Sequence, residues 1–232
     1  GVRASSWPGI IAPVVIGILM LTAWEAVVRV KEIPPYILPG PLLIAQTLWN
    51  DWGTLSGSLL ITLRITFAAL IAAIVVGVSL AIIFTQSKWL EKSLFPYAVI
   101  LQVTPVVAIA PLIIIWVGDI NLSLLICAWI IAFFPILSST VIGLRSADHN
   151  LRDLFTLYQA SPWQRFRLLL APSALPYFLS GLKVAGGLAL IGAVVAEFVA
   201  GAAGKETGLA SRIFEASFRT DVPLMFAALL LV

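Results

Sequence analysis

Few residues in this chain have the chemistry to act on a small molecule, and most of them stand alone. Glu197 lies within an apolar run, following Gly181, Ala185, Ala189 and Ala193 at intervals of four, so one helical face of small residues leads to a carboxylate. An ionisable group so placed faces protein or water, which makes Glu197 either a pathway residue or a structural hydrogen-bond acceptor near one interface. Gln102 and Thr104 offer hydrogen bonds beside Pro105. Their run must bend at Thr104-Pro105 and Ala110-Pro111, because each proline frees a carbonyl. Two readings stand: an irregular helix lining a translocation pathway, or a bend filled by neighbouring side chains. Cys127, the single cysteine, sits in an apolar span and reads as a small core residue. His149 has Asp148 beside it and no second His or Cys nearby, so no metal site is expected. There is no glycine-rich phosphate loop with lysine and no Ser/His/Asp set, so the chain is not expected to hydrolyse ATP or hold a cofactor itself.

The longest polar interruption is residues 153–176, and it carries its own helix signals. Asn150 can cap a first short helix with Asp153 at the third helical position, leaving Leu151, Leu154, Phe155 and Tyr158 on one face. Ser161-Pro162-Trp163-Gln164 reads as a capping box with proline at the first helical position. Trp163, Phe166 and Leu170 form an apolar stripe, Arg165 and Arg167 lie off it, and Pro172 is expected to end this second helix. Gln159, between the helices, is expected at negative φ, since a left-handed glutamine is sterically unfavourable. Two short amphipathic helices need a surface to bury against: the membrane, their own bundle or a partner.

The elements that must position these residues are membrane spans. Of 232 residues, 61% are hydrophobic and 11% charged, and the mean hydropathy is +1.07. Long apolar runs between short polar loops indicate an all-α polytopic bundle. A net charge of +3 without a basic run argues against nucleic acid as a partner. Spans are expected near residues 10–30, 58–84, 94–117, 122–144 and 174–200, with Trp7 an interfacial aromatic, a Glu25–Arg29 pair in the first and a kink at Pro135 in the fourth. Ala69, Ala73, Gly77 and Ala81 form a ridge for close helix approach in the second, where Arg64 snorkels. Four prolines in residues 34–41 forbid a helix; residues 41–52 then suit an interfacial helix burying Leu42, Leu43, Leu48, Trp49 and Trp52. Residues 209–218 suit another. A sixth span opens at Val222, but residues 222–232 make only about 16 Å of helix. The natural chain is therefore expected to continue and cross back. The first apolar run is long enough to span and lacks a cleavage pattern, so no signal peptide is expected.

The interruption resembles the cytoplasmic loop, the EAA loop, of binding-protein-dependent ABC importer permeases. Asp153 stands where that family has glutamate, and Ala160-Ser161, Trp163-Gln164, Phe166, Arg167, Pro172 and Ala174-Leu175-Pro176 match the wording of the nitrate/sulfonate/taurine and thiamine-precursor subgroup. Leu154 and Phe155 replace two small residues, Gln159 replaces a glycine and Ala171 replaces leucine. The resemblance implies a type I importer permease fold over one transmembrane domain, residues 1–232, with an ATPase-coupling loop at residues 145–173. It assigns coupling to Asp153, Leu154, Phe155, Tyr158, Gln159, Ala160, Ser161, Trp163, Arg165 and Phe166. It further implies a homodimer in the bacterial inner membrane lipid bilayer, two cytoplasmic ATPase subunits that bind ATP and Mg, and an extracytoplasmic solute-binding protein. The substrate class it implies spans nitrate, bicarbonate, sulfonates, taurine and pyrimidine vitamin precursors. Gly192-Ala-Val-Val-Ala-Glu197 is closest to importers of such heterocycles. An ion-gradient-driven secondary transporter is the alternative, but few charges lie in the spans and no internal repeat is evident.

The resemblance also sets orientation. A cytoplasmic N-terminus puts Arg3, Lys88, Lys92, Arg145, Arg152, Arg165 and Arg167 inside, and Arg29, Lys31, Lys205, Arg212 and Arg219 outside. Seven against five follows the positive-inside rule only weakly. An ATPase-docking loop, however, must face the cytoplasm.

Overall fold

The computed structural model describes residues 7–202, 204 and 208–232; Arg3, Lys205 and the Trp7 side chain fall outside that description. Every regular element among the described residues is helical. In order they are α1 (Trp7–Val30), α2 (Pro41–Asn50), α3 (Trp52–Gln86), α4 (Lys88–Val103), α5 (Val106–Val117), α6 (Ile120–Arg145), α7 (His149–Leu157), α8 (Pro162–Arg165), α9 (Ala171–Ala202), α10 (Leu209–Phe218) and α11 (Val222–Leu231). The helices α1, α3, α6 and the continuous Pro162–Ala202 segment are each long and apolar enough to cross a membrane. The α4–α5 pair is long and apolar enough only when taken together across its bend, as a broken span or a re-entrant loop, and α11 is a shorter apolar helix. Four to five candidate spans are roughly consistent with the expected set of about six.

The core is α3, α6 and α9, and small residues bring them together. On α9, Gly181, Ala185, Ala189, Ala193 and Glu197 are all buried, as are Ala69, Ala73, Gly77 and Ala81 on α3. The two expected small-residue faces are thus the packing faces. A Cβ at Gly181 would lie 2.6 Å from Ser139 Cβ on α6, so that crossing requires glycine for space. Cys127, Ala128, Ile136 and Leu137 of α6 are fully buried between the two faces. The outer faces, by contrast, are apolar and exposed, with Phe67, Ile71 and Val75 on α3 and Ile115 and Trp116 on α5. A surface of that kind suits lipid or another apolar helix rather than water.

Proline chemistry shapes the third span. Thr104 adopts extended angles (φ −70°, ψ 123°), the region favoured before proline, and Pro105 has no N–H with which to continue the helix. The result is a full break, with α4 and α5 bent by 102°. Pro111 and Pro135, where kinks were also expected, sit inside uninterrupted helices. The basic stretch at residues 86–92 is not a loop: only Ser87 separates α3 from α4, and its hydroxyl accepts from Leu90 N–H at 3.3 Å. In α2 the buried residue is Ile44, while Leu42, Trp49 and Trp52 remain exposed. Those three do not pack on the bundle, and the helix ends at Asn50, before Trp52.

Candidate coupling surface and the helix-capping carboxylates

At one end of the bundle, α7 and α8 form the interruption between α6 and α9. Asp148, not Asn150, caps α7: its Oδ1 accepts from Asn150 N–H at 2.7 Å and Leu151 N–H at 3.3 Å. The aspartate shifts the start two residues upstream, because an Asp cap is available there and leaves room for a full first turn. Asp153 consequently lies one helical turn after His149, whose Nδ1 is 2.9 Å from its carboxylate.

Gln159 has φ +49°, against the expectation of a negative angle. The hydrogen bonds give the reason. Gln159 N–H donates to Thr156 O at 3.0 Å, and Ala160 N–H donates to Phe155 O at 2.9 Å. These are the two bonds of a Schellman motif, which needs a left-handed residue just past the helix whatever its side chain. Two otherwise orphaned carbonyls offset the steric cost. The following capping box forms as expected: Gln164 N–H donates to Ser161 Oγ at 3.2 Å, and Ser161 N–H donates to Gln164 Oε1 at 2.8 Å.

Pro172 does not end the second helix. Residues Phe166–Leu170 form a π turn, closed by Ala171 N–H donating to Phe166 O, and the chain passes directly into α9. The widened turn falls just ahead of the proline and accommodates its missing donor. Therefore α8 is the end of a 41-residue helical segment. Arg165 Nη2 donates to Thr156 Oγ1 at 3.2 Å, holding α8 to α7, and Arg152 Nη2 donates to Leu144 O at 3.0 Å, holding α7 to α6.

Several apolar side chains of this unit are exposed. Leu157 is 80% exposed, Tyr158 79% and Trp163 66%. Leu151 and Leu154 are also exposed, while Phe155, Ala160, Arg165 and Phe166 are half-buried. Trp163 stacks on Phe166 with ring centroids 5.9 Å apart. Asp153, Gln159 and Ser161 are exposed. Of the ten residues singled out as a coupling set, Asp153, Leu154, Tyr158, Gln159, Ser161 and Trp163 are exposed and Phe155, Ala160, Arg165 and Phe166 half-buried.

At the opposite end, two glutamates cap two short helices. Glu197 is fully buried, and its Oε2 accepts from Thr62 Oγ1 at 3.0 Å and Ala210 N–H at 3.2 Å. Thr62 Oγ1 in turn accepts from Leu209 N–H at 3.0 Å. A carboxylate and a hydroxyl from two spans therefore satisfy the first N–H groups of α10. Gly208 precedes that helix, and a Cβ there would strike both Glu197 and Thr62. Glu25 repeats the device: it accepts from Leu42 N–H of α2 at 3.2 Å and from Arg29 Nε at 2.6 Å, beside Gly40, where a Cβ would lie 2.5 Å from its carboxylate. Sequence reading found Glu197 but missed its partner, because Thr62 lies far away in the chain; glycine before an amphipathic helix was the available signal. Of the other pathway candidates, Gln102 and Pro105 are exposed at the α4–α5 break, and the Thr104 hydroxyl donates back to Ile100 O at 2.7 Å. The structure does not bring Glu197 to that surface.

A broken apolar helix pair, a three-helix core of small residues and a hydrogen-bonded helix pair projecting from one end make a polytopic helical bundle. Residues 73–232 match the family of binding-protein-dependent transport system inner membrane components, and the chain belongs to it. It is 37% identical over 96% of its length, and 82% of the relative's, to the riboflavin transport system permease protein RibX of Chloroflexus aurantiacus. It is 32% identical to the formylaminopyrimidine transport permease protein ThiX of Halalkalibacterium halodurans, covering 95% of this chain and 86% of that one. Similarity extends to the nitrate import permease protein NrtB of a Synechocystis strain, at 26% identity over 85% of this chain and 74% of the other. As a permease of a binding-protein-dependent system, the chain is a membrane transport subunit that works with ATPase and solute-binding partners.

Proposed function

We propose that the chain forms the translocation pathway of an ATP-driven importer by alternating access, as one half of a homodimer, with residues 145–173 as the ATPase-coupling loop and the N-terminus in the cytoplasm. The observation that carries this reading is the exposed face of Leu151, Leu154, Leu157, Tyr158 and Trp163 on a helix pair that is hydrogen-bonded within itself and continuous with α9. An apolar patch on so rigid a mount suits a protein groove, because force applied there moves a span rather than a loose loop. Two cytoplasmic ATPase subunits supply that groove. At the far end, α2 and α10, pinned by Glu25 and Glu197, face the extracytoplasmic binding protein. The α4–α5 break, with Gln102, Thr104 and Pro105, supplies the irregular segment of the pathway.

The substrate reading is a nitrogen heterocycle of vitamin or vitamin-precursor type. Its support is the ranking of relatives: those named for riboflavin and formylaminopyrimidine are 37% and 32% identical, those named for aliphatic sulfonates and taurine 27% and 28%. Titrating the cognate binding protein with riboflavin, formylaminopyrimidine, taurine and nitrate tests it. Saturable binding of a heterocycle alone is expected; saturable binding of taurine or nitrate instead refutes the assignment.

A further inference from the structure

Behind the coupling patch lies a cleft of about 1090 Å³, bounded by the end of α3, the start of α4, the end of α6 and the inner side of α7–α8. Leu151, Leu154, Leu157 and Tyr158 do not line it, but Trp163 of the proposed docking face does, with Ala160, Arg165 and Phe166, so the cleft adjoins that face. Its rim carries five cations, Lys88, Lys92, Arg145, Arg152 and Arg165, against one acid, Glu91. That acid is already paired with Arg145. Neither Lys88 nor Lys92 has an ion pair among the described residues, and both are exposed. Arg152 Nε is buried without a hydrogen-bond partner, although Nη2 of the same guanidinium is engaged by Leu144 O. The floor is apolar, made by Ile82, Leu144, Phe166 and Leu170.

Cations gathered round a cleft without matching acids repel one another unless an anion enters. Arg152 adds to that set a guanidinium whose Nε has no partner of its own. The place of the cleft narrows the anion further: it opens where the apolar helices α3 and α6 end and α4 begins, and it joins a basic rim to an apolar floor. We propose that this cleft binds a phosphate group, with the headgroup of an anionic phospholipid as its source. The bound headgroup bridges α4 and α6 to α7 and α8, so lipid charge tunes how firmly the coupling unit is held to the bundle. The proposal depends neither on which end is cytoplasmic nor on ATPase docking.

Native mass spectrometry of the purified transporter, titrated with phosphatidylglycerol, phosphatidylcholine or glycerol phosphate, tests it. Saturable retention of phosphatidylglycerol over phosphatidylcholine is expected, weakened about fivefold by each of Lys88→Gln and Lys92→Gln and unchanged by Lys183→Gln on α9. Saturable glycerol phosphate binding with the same lysine dependence supports the phosphate site while assigning it a soluble source. Equal retention of both lipids, or retention insensitive to Lys88 and Lys92 while circular dichroism shows both variants folded, overturns the proposal.

Discussion

Gln159 shows how a local rule yields to a hydrogen-bond requirement. A left-handed non-glycine residue costs about 1 kcal/mol, yet the two bonds closing α7 need that conformation. Gln159→Gly is therefore expected to stabilise the protein by up to about 1 kcal/mol, read as a higher melting temperature in detergent; a lower one would contradict the strained-turn account. The opposite sign holds at the other end. Thr62→Val removes both the donor to Glu197 and the acceptor for Leu209 N–H, leaving buried polar groups unpaired. A loss of about 1–3 kcal/mol is expected, whereas Thr62→Ser should retain most of the stability. Asp148 was missed as a cap because Asp148 and Asn150 both satisfy the sequence rule, and only the first-turn geometry distinguishes them. Thr62 was missed because no local pattern announces a partner 135 positions away.

At the scale of elements, the chain was most legible where periodicity and packing agree. The four-residue repeats on α3 and α9 are the buried faces, and α10 and the start of α11 fall where amphipathicity and Val222 placed them. Proline was the least legible residue. Pro105 breaks a span outright, Pro135 leaves α6 whole, and Pro172 is absorbed by a π turn. Whether neighbouring backbone can re-satisfy the freed carbonyl decides among these outcomes, and that depends on packing a sequence does not display. The π turn makes α8 and α9 one continuous segment, through which the proposed coupling would act. Inserting two glycines between Leu170 and Ala171 should leave ATPase subunits bound, as judged by co-purification, while abolishing substrate uptake. Normal uptake by that variant would mean that force does not travel through this junction.

Across the whole molecule, polar interactions concentrate at the two ends and small-residue packing fills the middle. Glu25 and Glu197 fix short helices at one end, and Arg152 and Arg165 fix the α7–α8 pair at the other. Such an arrangement suits a body that tilts between two openings, since the interior holds few directional bonds to break and the ends are where partners act. A reporter inserted at Gly204 is expected to be extracytoplasmic, and one at His149 cytoplasmic; the reverse result would invert the proposed orientation. The most direct test of the central claim is substrate uptake by proteoliposomes holding the transporter with its ATPase and binding-protein partners, compared with the same system carrying Tyr158→Asp. Uptake should require ATP, survive a protonophore and fall about tenfold or more in the variant, because a charge forced into an apolar contact costs well over 1.4 kcal/mol. Uptake that continues without ATP and collapses with the protonophore, or that is untouched by Tyr158→Asp, would contradict it.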